Sequence, residues 1–183
     1  QVDVALHLGE NISTDYISPA GARALPYRSN IPKIAELSFD NIDATYAATW
    51  RANALENQFH AIIAGHNYGQ GSSREHAAIA PQYLGLRLVI AKSFARIHWQ
   101  NLINSAILPL VFENADDWEK IGAGDRLVID NIQDLIKQGA VIFDVLIENK
   151  SIHIPARLTA SDRQRHIMLA GGYSNWIRAK QAG

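Results

Sequence analysis

The 183-residue sequence contains no cysteine. That excludes a disulfide, a thiolate nucleophile, and any zinc or iron–sulfur centre held by cysteines of this chain. An excess of charge of one sign is also missing: 17 Lys and Arg stand against 18 Asp and Glu, for a formal net charge of −1. A nucleic-acid module normally shows a basic excess, so the balance argues against that class. No apolar run reaches the roughly 18 residues that mark a membrane span. The opening QVDVALHLGE has neither the basic start nor the long apolar stretch of a signal peptide. It also has no Met, so the chain is read as a fragment of something longer. No internal repeat or low-complexity run occurs. None of the seven histidines falls in an H-x-x-x-H or H-E-x-x-H pattern, so no histidine metal site is predicted.

What is present is ordinary globular material, 48% apolar and 19% charged, enough for one domain spanning 1–183 with its own core. Val2 to Leu8 alternates apolar and polar and predicts a strand. Gly9 to Arg28 is dense in turn formers without clear periodicity, which in a compact domain often marks function. Short helices are predicted over Pro32–Leu37 and Asp43–Leu55. From His60 the pattern becomes strand (60–64), glycine-rich loop, helix (72–83), strand (86–91), helix (94–103), strand (107–112). That alternation is the signature of parallel βαβ units. The C-terminal third predicts strands at 125–130, 141–148 and 151–158, then helices at 161–170 and 173–180. The fold class is therefore mixed α/β, a single domain with a parallel βαβ core and antiparallel additions.

The strongest local signal is Gly65-His66-Asn67-Tyr68-Gly69-Gln70-Gly71-Ser72-Ser73-Arg74-Glu75-His76, between a strand and a helix. Glycines let the backbone approach a ligand closely, and a helix start offers free N–H groups to an anion. Arg74 adds a planar fork suited to a carboxylate or phosphate. The string lacks the Gly-Lys-Ser/Thr of a phosphate loop, the third glycine of a dinucleotide fingerprint, and the G-x-S-x-G of a hydrolase elbow. Read locally, Ser72 to Glu75 is also a capping box, with Ser72 as N-cap and Glu75 at N3. A second signal, Ser13-Thr14-Asp15-Tyr16-Ile17-Ser18-Pro19-Ala20-Gly21, is followed by Arg23 and Arg28. On its own it reads as turn bonds from Asp15 and Ser18 beside solvated arginines.

Taken together, STDYISPAG, GHNYGQGSSREHAAIAPQYLG and KSFARIHWQNLINSAILPL resemble the C-terminal swivel domain of aconitases, nearest the bacterial type with RSNIP after the first motif. The resemblance runs from about residue 9 to residue 112, and more loosely through LTASDRQRHIMLAGG. GSSREHA is shared with homoaconitase and with the small subunit of isopropylmalate dehydratase.

The resemblance implies a swivelling domain. It further implies that Ser72 is the catalytic base, that Ser73 and Arg74 bind a substrate carboxylate, that Arg28 is a second carboxylate-binding arginine, and that Asp15 is an active-site acid beside it. The spacing from Asp15 to Arg28 is one residue longer than in mitochondrial-type enzymes, which makes Arg23 a competitor. Arg28 is preferred because Ser-Asn-Ile-Pro follows it. Tyr16 stands where many relatives carry His. The family's [4Fe-4S] cluster, the Lewis acid for the leaving hydroxyl, is held by three cysteines on other domains. The chain is thus expected to bind no cofactor itself and to act with a cluster-bearing larger part on a tricarboxylate. Alone it is expected to be inactive as a hydro-lyase.

Two further readings stand beside aconitate hydratase. One is the small subunit of isopropylmalate or homoaconitate dehydratase. The other is a regulatory or RNA-binding module, against which the balanced charge speaks. Neither nucleic acid nor membrane is an expected partner, and the expected location is cytoplasmic.

Overall fold

A computed structural model describes residues 1–21 and 23–183. Four strands run parallel: β1 (Val2–His7), β2 (His60–Ala64), β3 (Leu86–Ala91) and β4 (Leu108–Phe112). Three further strands, β5 (Arg126–Val128), β6 (Ile142–Ile147) and β7 (Ile152–Arg157), add antiparallel pairings. β7 joins β4, and β5 returns to pair with β1 through Val2–Leu127 and Asp3–Arg126. The seven strands therefore close, in the order β1-β2-β3-β4-β7-β6-β5. The predicted parallel core and antiparallel addition are both present. The closure between the chain's first strand and the short β5 is an addition to what the patterns predicted.

The two halves bury their strands differently. Every residue of β2 is buried, because the sheet is covered on both faces there. β6 alternates instead, with Phe143, Val145 and Ile147 inside and Ile142 and Asp144 exposed. Two apolar clusters result. Ala61, Ile63, Leu88, Ile90, Leu110, Phe143 and Ile154 fill the interior of the closed sheet. Ile62, Ala64, Val89 and Ala91 face outward, where they meet the helices. β1 contributes to both: Val4 lies in the interior cluster and Leu6 in the outer one. Residues two apart normally share a face, and the register shift between Val4 and Leu6 is what divides them.

The helices are α1 (Thr14–Ile17), α2 (Ile31–Ala35), α3 (Tyr46–Leu55), α4 (His76–Tyr83), α5 (Arg96–Asn104), α6 (Ile132–Lys137), α7 (Asp162–Leu169) and α8 (Tyr173–Gln181). α7 begins on a full capping box from Ser161 and Gln164. A 3-10 turn at Leu25–Tyr27 precedes α2. No described helix is long and apolar enough to cross a membrane.

One local expectation is corrected. The helix predicted from Ser72 begins four residues later, at His76, and its N-cap, Glu75, makes no side-chain capping bond. The capping box does not form, and Ser73 does not cap in its place. The reason is long-range. Thr14 Oγ1 donates to the Ser72 carbonyl at 2.7 Å, and Arg74 is drawn sideways to Asp15 and Ser18. The chain cannot turn into a helix until those ties are behind it.

Candidate active site

Three segments leave the carboxyl ends of β1, β2 and β3 and meet, the usual place for a ligand in a parallel sheet. The glycine-rich loop lies between the other two. Gly69 N–H donates to the Ile12 carbonyl at 2.7 Å and Thr14 N–H to the Gln70 carbonyl at 2.9 Å. On the other side Tyr68 N–H donates to the Ser93 carbonyl at 3.1 Å, and Ala95 N–H to the Tyr68 carbonyl at 2.9 Å. Asn67 N–H takes Ser93 Oγ at 2.8 Å. The two sequence signals, some 50 residues apart in the chain, are thus stitched into one site.

Gly69 is where glycine is indispensable. Its φ is +86°, and a Cβ there would lie 2.3 Å from the His98 ring. Tyr68 and His98 pack edge to face beneath the loop, both buried. Burial pulls the His98 pKa down to about 4 and pushes the Tyr68 hydroxyl up, so both are neutral around pH 7. His98 therefore serves as packing, with neither ring nitrogen hydrogen-bonded. At the loop's start Glu10 accepts the His66 N–H and pairs with Lys92 at 3.5 Å.

Arg74, Ser73 and Arg28 line one cleft of about 430 Å³, together with Glu75 and His76 on one side and Ala20, Ala24 and Leu25 on the other. Arg74 is largely enclosed. Its Nη1 pairs with Asp15 Oδ1 at 2.5 Å and donates to the Ser18 carbonyl at 3.3 Å. Its Nε and Nη2 have no protein acceptor among the described residues. Asp15, on α1, thus orients Arg74 through one nitrogen and leaves the other two for a ligand. Two parallel N–H donors of this kind match a carboxylate.

Arg23, the competitor for Arg28, is turned elsewhere. It pairs with Asp40 at 2.8 Å and is not in the cleft lining. Arg28 is in that lining. Ser72 is exposed on the same loop, beside the cleft rather than in its lining. Its hydroxyl makes no hydrogen bond among the described residues, and only its carbonyl is used. Tyr16 is half exposed at the same end of the molecule. The structure therefore brings Arg28, Ser73 and Arg74 together in one cleft, with Ser72 at its edge; Asp15, expected beside Arg28, pairs with Arg74 instead.

His76 was overlooked as a site residue, because its helical, alanine-rich context reads as packing. Its Nε2 lies 2.6 Å from the Arg28 carbonyl, across the same cleft. The contact is 48 residues apart in sequence, beyond any local rule.

The aconitase C-terminal domain family model matches residues 43–115. A probable mitochondrial aconitate hydratase of Dictyostelium discoideum is 34% identical over 203 aligned residues, covering 99% of this chain and 26% of that protein. A 3-isopropylmalate dehydratase small subunit of Archaeoglobus fulgidus is 40% identical over 126 residues, 69% of each chain. The crystal structure of 3-isopropylmalate dehydratase (leuD) from Methanocaldococcus jannaschii superposes with a TM-score of 0.75 at 31% identity, over 98% of this chain and 94% of the other. The chain spans about a quarter of the length of the aconitate hydratases it matches.

Proposed function

The chain belongs to the aconitase C-terminal domain family, whose members are hydratases and dehydratases, and on that premise we propose that it is the swivel domain of an aconitate hydratase. In this reading it supplies a serine base and carboxylate-binding arginines for isomerising citrate and isocitrate through cis-aconitate. The observation that carries the reading is the cleft in which Arg28 and Arg74 face one space, with Ser73 in its wall and Ser72 at its edge.

The cluster belonging to such an enzyme does not fit this chain. There is no cysteine, and no group of three or more His, Asp or Glu among the described residues is close enough to share a metal. We place the cluster on a larger partner region, and the chemistry assigned to this chain is binding and proton transfer.

One substrate carboxylate takes the free Nε and Nη2 of Arg74, with Ser73 beside it, and a second takes Arg28. Two guanidinium anchors fix both position and tilt, so the carbon next to a carboxylate is presented to Ser72 Oγ. A serine oxygen is a poor base unless its alkoxide is stabilised. Here the stabilisers are the Arg74 charge and the N–H groups of Ser73 and Arg74, which have no protein acceptor among the described residues. Ser72 Oγ, as the alkoxide, takes the proton, the C–H pair becomes the new C=C bond, and the C–O bond to the neighbouring carbon breaks with its pair on the departing hydroxide, which the cluster-bearing part would accept; the reverse addition returns both. Because Ser72 does not cap α4, its lone pairs are free for this role.

A second reading, the small subunit of a 3-isopropylmalate dehydratase, is supported by the near-complete superposition on a chain of that kind. The apolar side of the cleft, Ala20, Ala24 and Leu25, would suit a substrate with an alkyl branch. Turnover by the chain joined to its cluster-bearing part separates the two. Citrate turnover at least tenfold above 3-isopropylmalate supports the first reading; the opposite ratio transfers the assignment to the second, and turnover of neither overturns both.

A further inference from the structure

We propose that His76 is a positioning residue for Arg28: its imidazole holds the backbone of the Arg28 segment against α4 and so fixes the distance between the two carboxylate-binding arginines. The inference rests on the reading of Arg28 as a ligand clamp, and it adds what keeps that clamp in place.

The Arg28 segment has few ties of its own. Residues 25–30 are all exposed, and the 3-10 turn at Leu25–Tyr27 has no side-chain cap. Ala24 is its one buried anchor among the described residues from 19 to 30. The Arg23–Asp40 pair joins a largely exposed guanidinium to a mostly buried carboxylate, five residues before Arg28. His76 is different in kind. It is the first residue of α4, a helix fixed to the core through Ala77, Ala78 and Ala80. From there Nε2 reaches the Arg28 carbonyl at 2.6 Å. A carbonyl only accepts, so the geometry places a proton on Nε2.

The consequence is geometric. Arg74 and His76 are two residues apart, and one presents a guanidinium while the other grips the carbonyl of the second guanidinium's own residue. Both clamps are thereby referred to the same stretch of chain leading into α4. Without the grip, Arg28 sits in an exposed turn between the buried Ala24 and the start of α2, and a ligand must pay the ordering entropy of that turn on binding.

The test compares the full chain with His76→Leu, which keeps bulk and loses the donor, and His76→Gln, whose amide nitrogen can restore it. Hydrogen–deuterium exchange is read at the Tyr27 and Asn30 amides, which are hydrogen-bonded within the segment, and in β2 and β3 as a reference. Citrate affinity of the same samples is read by calorimetry. The proposal expects exchange at Tyr27 and Asn30 to rise about tenfold in His76→Leu, with β2 and β3 unchanged, and His76→Gln to restore protection. Citrate binding should weaken about tenfold in the Leu variant and recover in the Gln variant. Unchanged exchange at Tyr27 and Asn30, or a rise shared by β2 and β3, overturns it. Failure of the unsubstituted chain to bind either citrate or 3-isopropylmalate counts instead against the polycarboxylate reading, and leaves the exchange result to decide the role of His76.

Discussion

Arg74 combines three duties that a lysine could not share out. One nitrogen is spent on Asp15 and the Ser18 carbonyl, and two remain without a protein acceptor among the described residues. Arg74→Lys keeps the charge and loses the fork. In the complete enzyme it is expected to raise the substrate KM by about tenfold or more, the worth of one charge-assisted hydrogen bond; an unchanged KM would show that the fork is not used. At this scale the grouping of Arg28, Ser73 and Arg74 was legible through the resemblance, whereas Asp15, expected beside Arg28, pairs with Arg74. The capping box was misread because it obeys a local rule that a distant residue overrides: Thr14, 58 positions away, takes the Ser72 carbonyl. His76 stayed hidden for the same reason, since its partner lies 48 residues off.

Among elements, legibility followed burial. β2, β3 and β4 are buried along nearly their whole length and were predicted as apolar strands, while β6 and β7 alternate between buried and exposed positions and were predicted as strands without their inward faces. The alternation in β6 has a measurable consequence. Phe143 is fully buried and its neighbour Ile142 is 44% exposed. Phe143→Ala should cost about 3–5 kcal/mol and Ile142→Ala well under half of that, measured by urea unfolding. Equal costs would mean that the register of β6 is wrong. α1 and α6 escaped the pattern reading. α1 is four residues long, too short to show a period, and is started by Ser13 accepting the Asp15 N–H at 3.1 Å. α6 begins on Asn131 with φ of 55°, a left-handed turn that interrupts any run. β5, three residues long, gave no sign that it would close the sheet onto β1.

Across the whole molecule, two buried histidines tie stability to pH. His60 lies at the start of β2, with Nε2 2.6 Å from the Tyr46 hydroxyl, and burial lowers its pKa from 6.5 to about 3. His98 is lowered from 6.5 to about 4. Both are neutral when folded, so the unfolded chain binds more protons below pH 6.5, and stability falls on acidification from there down to the folded values. Each histidine removes up to about 1.4 kcal/mol per pH unit in that window. The urea midpoint should be flat from pH 8 to 7 and fall clearly between pH 6.5 and 4.5, above the range where carboxylates protonate. A midpoint constant down to pH 4.5 would show that these histidines are not held neutral.

In the proposed reading this chain is one part of a larger catalytic assembly, and its contribution is a proton-accepting serine between two guanidinium anchors. Ser72→Ala in the complete enzyme tests that assignment most directly, because Ser72 Oγ is exposed and bears no hydrogen bond among the described residues that its loss would break. Turnover should fall by about 10²–10⁴-fold, with substrate KM within about threefold and the melting temperature unchanged. A variant that still turns over at the original rate contradicts the account.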